Sequence, residues 1–256
     1  MSDAVRYSIP ETGICRIEIN NPPLNLLTQT VRRELGDLFA RLDQDDDTRV
    51  AVFGSAQQPF CAGADLKEFP LRFDPAVART HGENAHRMIL ALVSSRKPVI
   101  AALHGNCMGG GLELALGCGF RFASSTAKFA LPEIKRGVWP GTGGIFLLER
   151  LIGPSRSRRL LLGGATITSD EAQAIGLVDV VVSPESLDET VLRFARELTA
   201  RPPSSVRTIS TLLDHQVMHA FRAQLEYEIE LFVQAYQLPA AREGNLAFFE
   251  KREPRW

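Results

Sequence analysis

Two glutamates flank a glycine-rich run near the middle of the chain. His104 to Gly144 reads HGNCMGGGLELALGCGF and then RFASSTAKFALPEIKRGVWPGTGG. Gly109 to Gly111 lead into a short apolar helix carrying Glu113. Glu133 follows Pro132 and precedes a second glycine turn at Gly141, Gly143 and Gly144. Glycine amides at a helix start sit at the positive end of the helix dipole and can approach a carbonyl oxygen that gains negative charge. One such donor is worth roughly 3–4 kcal/mol of barrier. Two glutamates facing each other across an apolar cleft repel, so burial and repulsion tend to keep one of them protonated. A carboxylate and a carboxylic acid can then hold and polarise a single water. Taken singly, a glycine run usually serves close packing and a lone buried Glu usually pairs with an Arg. The two features together point to catalysis.

Other chemistries lack their signatures. No Lys-Ser/Thr follows the glycines, so a nucleotide P-loop is poorly supported, and no GxGxxG follows a strand. No Gly-x-Ser-x-Gly occurs, and nothing in the sequence pairs any of the five histidines with a Ser or Cys. Cys61 and Cys107 read as small packing residues. No His/Cys/Asp set has metal-ligand spacing, and the acidic run Asp43–Asp47 reads as a solvated loop. The formal net charge is −1, which argues against a nucleic-acid binder. Arg156, Arg158 and Arg159 read as a solvated helix face. The four cysteines form no CxxC pair, as expected of reduced thiols in the cytosol. The opening MSDAVRYSIPETG shows no leader pattern, and no stretch has the apolar length of a membrane span. A soluble cytoplasmic enzyme is expected, with no membrane or nucleic-acid partner.

The elements that must position these residues read as an α/β fold. Val5–Ile9 and Ile14–Ile19 alternate around Glu11-Thr12-Gly13 as a hairpin. Thr28 caps a helix to about Leu42, with Val31, Leu35, Leu38, Phe39 and Leu42 at helical spacing. Val50–Phe53 and Pro98–Leu103 are buried strands on either side of a helix opened by Asp74-Pro75. Strand, helix and strand in alternation predict short parallel strands. Helices follow at Ile145–Leu151 and Ser155–Leu162, a third opens at Ser169 and ends by Gly176, and Val178–Val182 is the last strand. From Pro184 the chain reads as helix, with breaks at Pro202-Pro203, His215 and Pro239. A boundary near Pro184 divides a core of residues 1–183 from a helical region of residues 184–256. Met218, Phe221, Leu225, Ile229, Phe232, Val233 and Tyr236 share one helix face, which serves either the core or a subunit interface.

Phe60-Cys61-Ala62-Gly63-Ala64-Asp65-Leu66-Lys67-Glu68, HGNCMGGGLELALGC, FALPEIKRGVWPGTGG and the terminal AFFEKREPRW together resemble the enoyl-CoA hydratase (crotonase) family over essentially the whole chain. The resemblance implies a spiral of ββα units with a helical C-terminal region, assembled as a homotrimer or homohexamer. It also implies an acyl-CoA thioester substrate and no cofactor beyond the coenzyme A of that substrate. By position, the amides of Ala64 and Gly110 match the oxyanion hole, and Glu113 and Glu133 match the two hydratase carboxylates. The amide of Gly141 matches the group that helps hold the water. Ala62, Asp65, Leu66 and Lys67 match the segment that receives the coenzyme. Phe232, Phe248 and Lys251 match C-terminal groups that close over its adenosine, in part from a neighbouring subunit.

Keeping both glutamates favours hydration over isomerisation in such a family. The turn Pro140-Gly141-Thr142 lacks the aspartate that dienoyl-CoA isomerases and dehalogenases place nearby. An enoyl-CoA isomerase on the same scaffold and a non-catalytic acyl-CoA- or RNA-binding relative are the alternatives. Two positions depart from the family pattern. Gly119 stands where many relatives carry Asp. Trp139 stands beside the water site, either as a packed aromatic or as a group that reshapes the acyl pocket with Met108 and Phe69.

Overall fold

A computed structural model of the chain describes residues 3–256. Strands β1 (Val5–Glu11) and β2 (Ile14–Ile19) form the expected antiparallel hairpin. Helix α1 (Gln29–Leu42) starts at Thr28, whose side chain accepts the Val31 amide. β3 (Val50–Ser55) follows, and then α2 (Pro75–Val93), where Asp74 caps the Ala76 and Val77 amides. Next come β4 (Val99–Leu103), β5 (Asn106–Met108), α3 (Gly110–Gly117), β6 (Phe120–Ser124) and β7 (Lys128–Ala130). The chain continues through α4 (Gly144–Ile152), α5 (Pro154–Gly163), β8 (Ile167–Thr168), α6 (Ser169–Ala174) and β9 (Val180–Val182). It ends with α7 (Leu187–Thr199), α8 (Pro203–Ala235) and α9 (Pro239–Glu250).

Two sheets share these strands. The larger has the order β1-β2-β3-β4-β6-β9, parallel from β2 onward, and the smaller has the order β5-β7-β8. After β4 the chain crosses to β5 and then enters α3; after β6 it crosses to β7 before reaching α4. An isolated bridge between Cys61 and Cys107 extends the same pattern one turn earlier, between β3 and α2. Each turn is thus a strand in one sheet, a strand in the other and a helix: the spiral of ββα units.

Alternation along the central strands explains why they read as continuous apolar runs. Ala51, Phe53, Ala101 and Leu103 face the main core with Leu35, Phe39 and Ile89. Val50, Val52, Ile100 and Ala102 face the other side, where Leu187, Val191 and Ala195 of α7 cover them. The helices after Pro184 therefore pack on the spiral itself.

Helix α8 corrects one expectation and decides between two readings of another feature. It runs unbroken through His215, because its interior holds neither Gly nor Pro and histidine does not stop a helix. Its stripe from Phe221 to Tyr236 is core, with Phe221, Leu225, Ile229, Phe232 and Tyr236 all buried. Ile209, Leu212 and Leu213, nearer its start, are left exposed, as is Tyr227 further on. All four cysteines are free and buried. Among the described residues no helix is long and apolar enough to cross a membrane.

Phe53 anchors the main core, edge-on to Phe39 at 5.4 Å and to Phe60 at 5.6 Å. Phe53→Ala is expected to lower the unfolding free energy by about 3–5 kcal/mol. The measurement is the urea midpoint at unchanged slope.

Candidate active site

The smaller sheet brings the two glutamates together. Met108 lies opposite Ala130 in the β5–β7 register, so the segments leaving these strands, Gly109–Gly110 and Leu131–Glu133, run on side by side. The Gly109 amide continues the pairing with a bond to the Ala130 carbonyl at 2.9 Å. Gly109 has φ +53, and a Cβ there would lie 2.6 Å from Glu133 Oε1. Only glycine serves here: the conformation disfavours any side chain, and the carboxylate fills its space. Glu133 is half-buried, and its Oε2 is buried without a hydrogen-bond partner.

Glu113 is 2% exposed and held rigidly. Its Oε1 accepts the Thr142 amide at 2.7 Å and the Gly144 amide at 3.0 Å. A Cβ on Gly144 would lie 2.7 Å from that oxygen, so the second glycine turn lets the backbone close around the carboxylate. Burial, and then the Glu228 carboxylate, push Glu113 up to about 7. Burial, and then Glu113, push Glu133 up to about 8. Both lie well above the ordinary carboxylate range, so near neutral pH the pair can hold a shared proton.

Glu228 of α8 is the residue that sequence reading missed. It is 2% exposed; its Oε1 accepts the Gly143 amide at 3.0 Å and lies 3.1 Å from His86 Nε2. The turn thus gives its amides alternately to two carboxylates, Thr142 and Gly144 to Glu113 and Gly143 to Glu228. A signal existed in the sequence. Glu228 falls three residues after Leu225 and four before Phe232, which places a charge on the apolar stripe of α8.

The loop before Leu66 meets the same backbone. Leu27 donates to the Gly63 carbonyl at 2.9 Å, and Leu27 and Ala64 form a parallel bridge. Gly63, at φ +95, packs so closely that a Cβ would lie 3.1 Å from the Met108 carbonyl and 3.7 Å from the Gly110 nitrogen. Gly110 opens α3, where an amide has no intrahelical acceptor. Among the described residues neither the Ala64 nor the Gly110 amide donates to a protein acceptor. The two N–H groups are therefore free for a ligand oxygen.

The remaining candidates separate into two places. Half-buried Ala62 pairs through its amide with the Leu24 carbonyl, and Asp65 caps the short turn Leu66–Glu68 through the Lys67 amide at 2.9 Å. Lys67, Phe248 and Lys251 are exposed, and Arg136 stacks 4.3 Å from the Phe248 ring. Phe232 does not join them. It is 8% exposed and lies against Gly141, whose added Cβ would meet it at 2.5 Å. Its buried place follows from the apolar face of α8. Half-buried Trp139 packs on the aromatic cluster of Phe69, Phe232 and Tyr236. Among the described residues no hydrogen bond engages the Gly141 amide. Gly119 has open space, an added Cβ meeting only the Val99 carbonyl at 3.6 Å. Among the described residues no set of three or more His, Cys, Asp or Glu could hold a metal.

The chain as a whole has known relatives. The family model for enoyl-CoA hydratase/isomerase matches residues 10–256. The chain is 33% identical to a crotonyl-CoA hydratase of Syntrophomonas wolfei, over 95% of this chain and 94% of that one. It is 31% identical to a short-chain-enoyl-CoA hydratase of Clostridium acetobutylicum, again over 95% and 94%. Among solved structures, DspI of Pseudomonas aeruginosa superposes with a TM-score of 0.80 at 33% identity, covering 100% of this chain and 97% of that one. Two carboxylates beside a stripped backbone, a family match along nearly the whole chain and the shared spiral agree: the chain belongs to the enoyl-CoA hydratase/isomerase family.

Proposed function

We propose that the chain is an enoyl-CoA hydratase, a lyase that reversibly adds water to a 2-enoyl-CoA to give the 3-hydroxyacyl-CoA. The observation that carries this is the pair Glu113 and Glu133 on opposite sides of the Gly109–Gly110 backbone, with unequal hydrogen bonding. In our reading the free amides of Ala64 and Gly110 take the thioester oxygen and stabilise the negative charge it gains. Glu113, fixed by two amides, takes a proton from the attacking water as its oxygen bonds to the β-carbon. Glu133 delivers a proton to the α-carbon, and exchange through the next water restores the pair. The Gly141 amide adds a donor near that water, while Trp139 and Phe232 shape the acyl end of the pocket. Ala62, Asp65, Leu66 and Lys67 receive the coenzyme, with Phe248 and Lys251 closing over it.

We also propose a cytoplasmic homotrimer or homohexamer. The supporting feature is the exposed apolar face of Ile209, Leu212 and Leu213, at helical spacing near the start of α8. Light scattering is expected to give three or six times the chain mass; a monomer at micromolar concentration would refute the assembly.

Loss of the conjugated thioester absorbance measures hydration. Glu133→Gln and Glu113→Gln are each expected to lower kcat by about 10²–10⁴-fold, with α-proton exchange lost in the first. Conversion of 3-enoyl-CoA without hydration of any 2-enoyl-CoA would reassign the enzyme as an isomerase.

The pH profile follows from the shifts. Activity should rise as Glu113 loses its proton near 7 and fall as Glu133 loses its own near 8. These limbs belong to the pair. Glu228 raises Glu113 because two negative charges share the turn. Glu228→Gln should therefore move the acidic limb of kcat/KM to lower pH, and an unmoved limb would show that its charge does not act on Glu113.

A further inference from the structure

Behind the aromatic cluster lies a group of buried cations with no part in the hydration step. Arg32 of α1 and Arg72 are 5% and 3% exposed. Arg72 stacks over the rings of Phe69 and Tyr236, donates Nε to His81 Nδ1 at 2.9 Å, and donates Nη1 to the Tyr236 hydroxyl at 2.8 Å. Its Nη2 is buried without an acceptor. Glu68 Oε2, also unpartnered, stands 3.7 Å away. Arg32 donates Nε to the Leu27 carbonyl at 3.2 Å, and among the described residues neither of its Nη groups has an acceptor. Gln29 Nε2 is a further buried, unpartnered donor, while the Gln29 amide donates to Glu68 Oε1.

The charges are not paired through hydrogen bonds. His81 accepts from Arg72, and burial followed by the two guanidiniums holds it down to about 4, so it is neutral at physiological pH. Burial lowers Arg32 only to about 10, so it stays charged. Arg72 thus has Glu68 at 3.7 Å, while Arg32 is drawn to Glu113 first and to Glu68 second, neither of them by a hydrogen bond from Nη. A buried guanidinium with idle N–H groups is costly unless something pairs with it.

This cluster adjoins the catalytic carboxylates. Arg32 lies within electrostatic reach of Glu113, and Tyr236, which Arg72 holds, within reach of Glu133. Leu66 and Phe69 follow closely on Ala64, and Phe232 lies against Gly141; both segments meet in one aromatic cluster. An acyl chain running from Ala64 and Gly110 past the glutamates into this cluster would end near the Arg72 guanidinium, which lies 5.0 Å from the Phe69 ring and 5.5 Å from the Tyr236 ring. A hydrocarbon tail would leave its Nη2 idle, whereas a carboxylate would pair with it by charge-assisted bonds.

We propose that the acyl pocket recognises a 2-enoyl-CoA whose far end carries a second carboxylate, bound by Arg32 and Arg72. This rests on the hydratase reading and adds its substrate class. The test compares pent-2-enoyl-CoA with its ω-carboxylate counterpart, pent-2-enedioyl-CoA, in the wild-type enzyme. Expected is a kcat/KM about 10-fold or more higher for the carboxylate, a ratio that falls by at least as much in Arg72→Met or Arg32→Met. A wild-type preference for the plain chain overturns the proposal without any variant, as does a ratio unchanged in both variants. Calorimetry with the saturated pair, pentanoyl-CoA and its ω-carboxylate counterpart, reads the same preference without turnover. Tighter binding of the carboxylate with no hydration of either thioester would support the subsite and refute the hydratase reading. Hydration of both with no preference would do the reverse.

Discussion

Like charges buried side by side are the constraint on which this structure depends. Glu113 and Glu228 are each 2% exposed, and Glu113 lies close enough to Glu133 to raise the proton affinity of Glu133. Carboxylates do not stay ionised in such a place without fixed donors. Three successive amides of the turn Thr142–Gly144 supply them, divided between two carboxylates. Thr142 donates its amide with a side chain in place, but at two other points a side chain would collide with a carboxylate. Gly144 therefore adjoins Glu113, and Gly109 adjoins Glu133, for one steric reason.

The spiral supplies the second requirement, which is proximity between residues far apart in sequence. Pairing of β5 with β7 sets Gly109 beside Glu133, and the bridge of Cys61 to Cys107 sets the Ala64 loop beside Gly110. Successive coils thus present their exits at one edge. The free amides and both glutamates gather there, while the larger sheet, buried on both faces, holds the coils in register.

Much of this was legible in the sequence because it depends on local pattern. The long helices follow from apolar spacing and from caps at Thr28 and Asp74, and the central strands from unbroken apolar runs. The pair Glu113 and Glu133 stood out because charge is rare in such surroundings. The smaller sheet was not legible. β5 and β7 have three residues each and β8 two, too short for any period to register. Glu228 and the bond of Arg72 to Tyr236 escaped because their meaning lies in contacts between distant segments. The break expected at His215 failed for the opposite reason: a local cue was read where the apolar stripe of α8 continues on the far side.

The unequal tethering of the two glutamates has a mechanical consequence. Glu113 is clamped by two amides at one oxygen, whereas Glu133 rests on a short 3-10 turn with its Oε2 unpartnered. One carboxylate is a fixed post and the other a short lever. In the proposed hydration the post holds the attacking water to one face of the double bond, which would fix the handedness at the β-carbon. On the same proposal the lever, with one oxygen untethered, serves the neighbouring carbon, a task that a second fixed post would restrict.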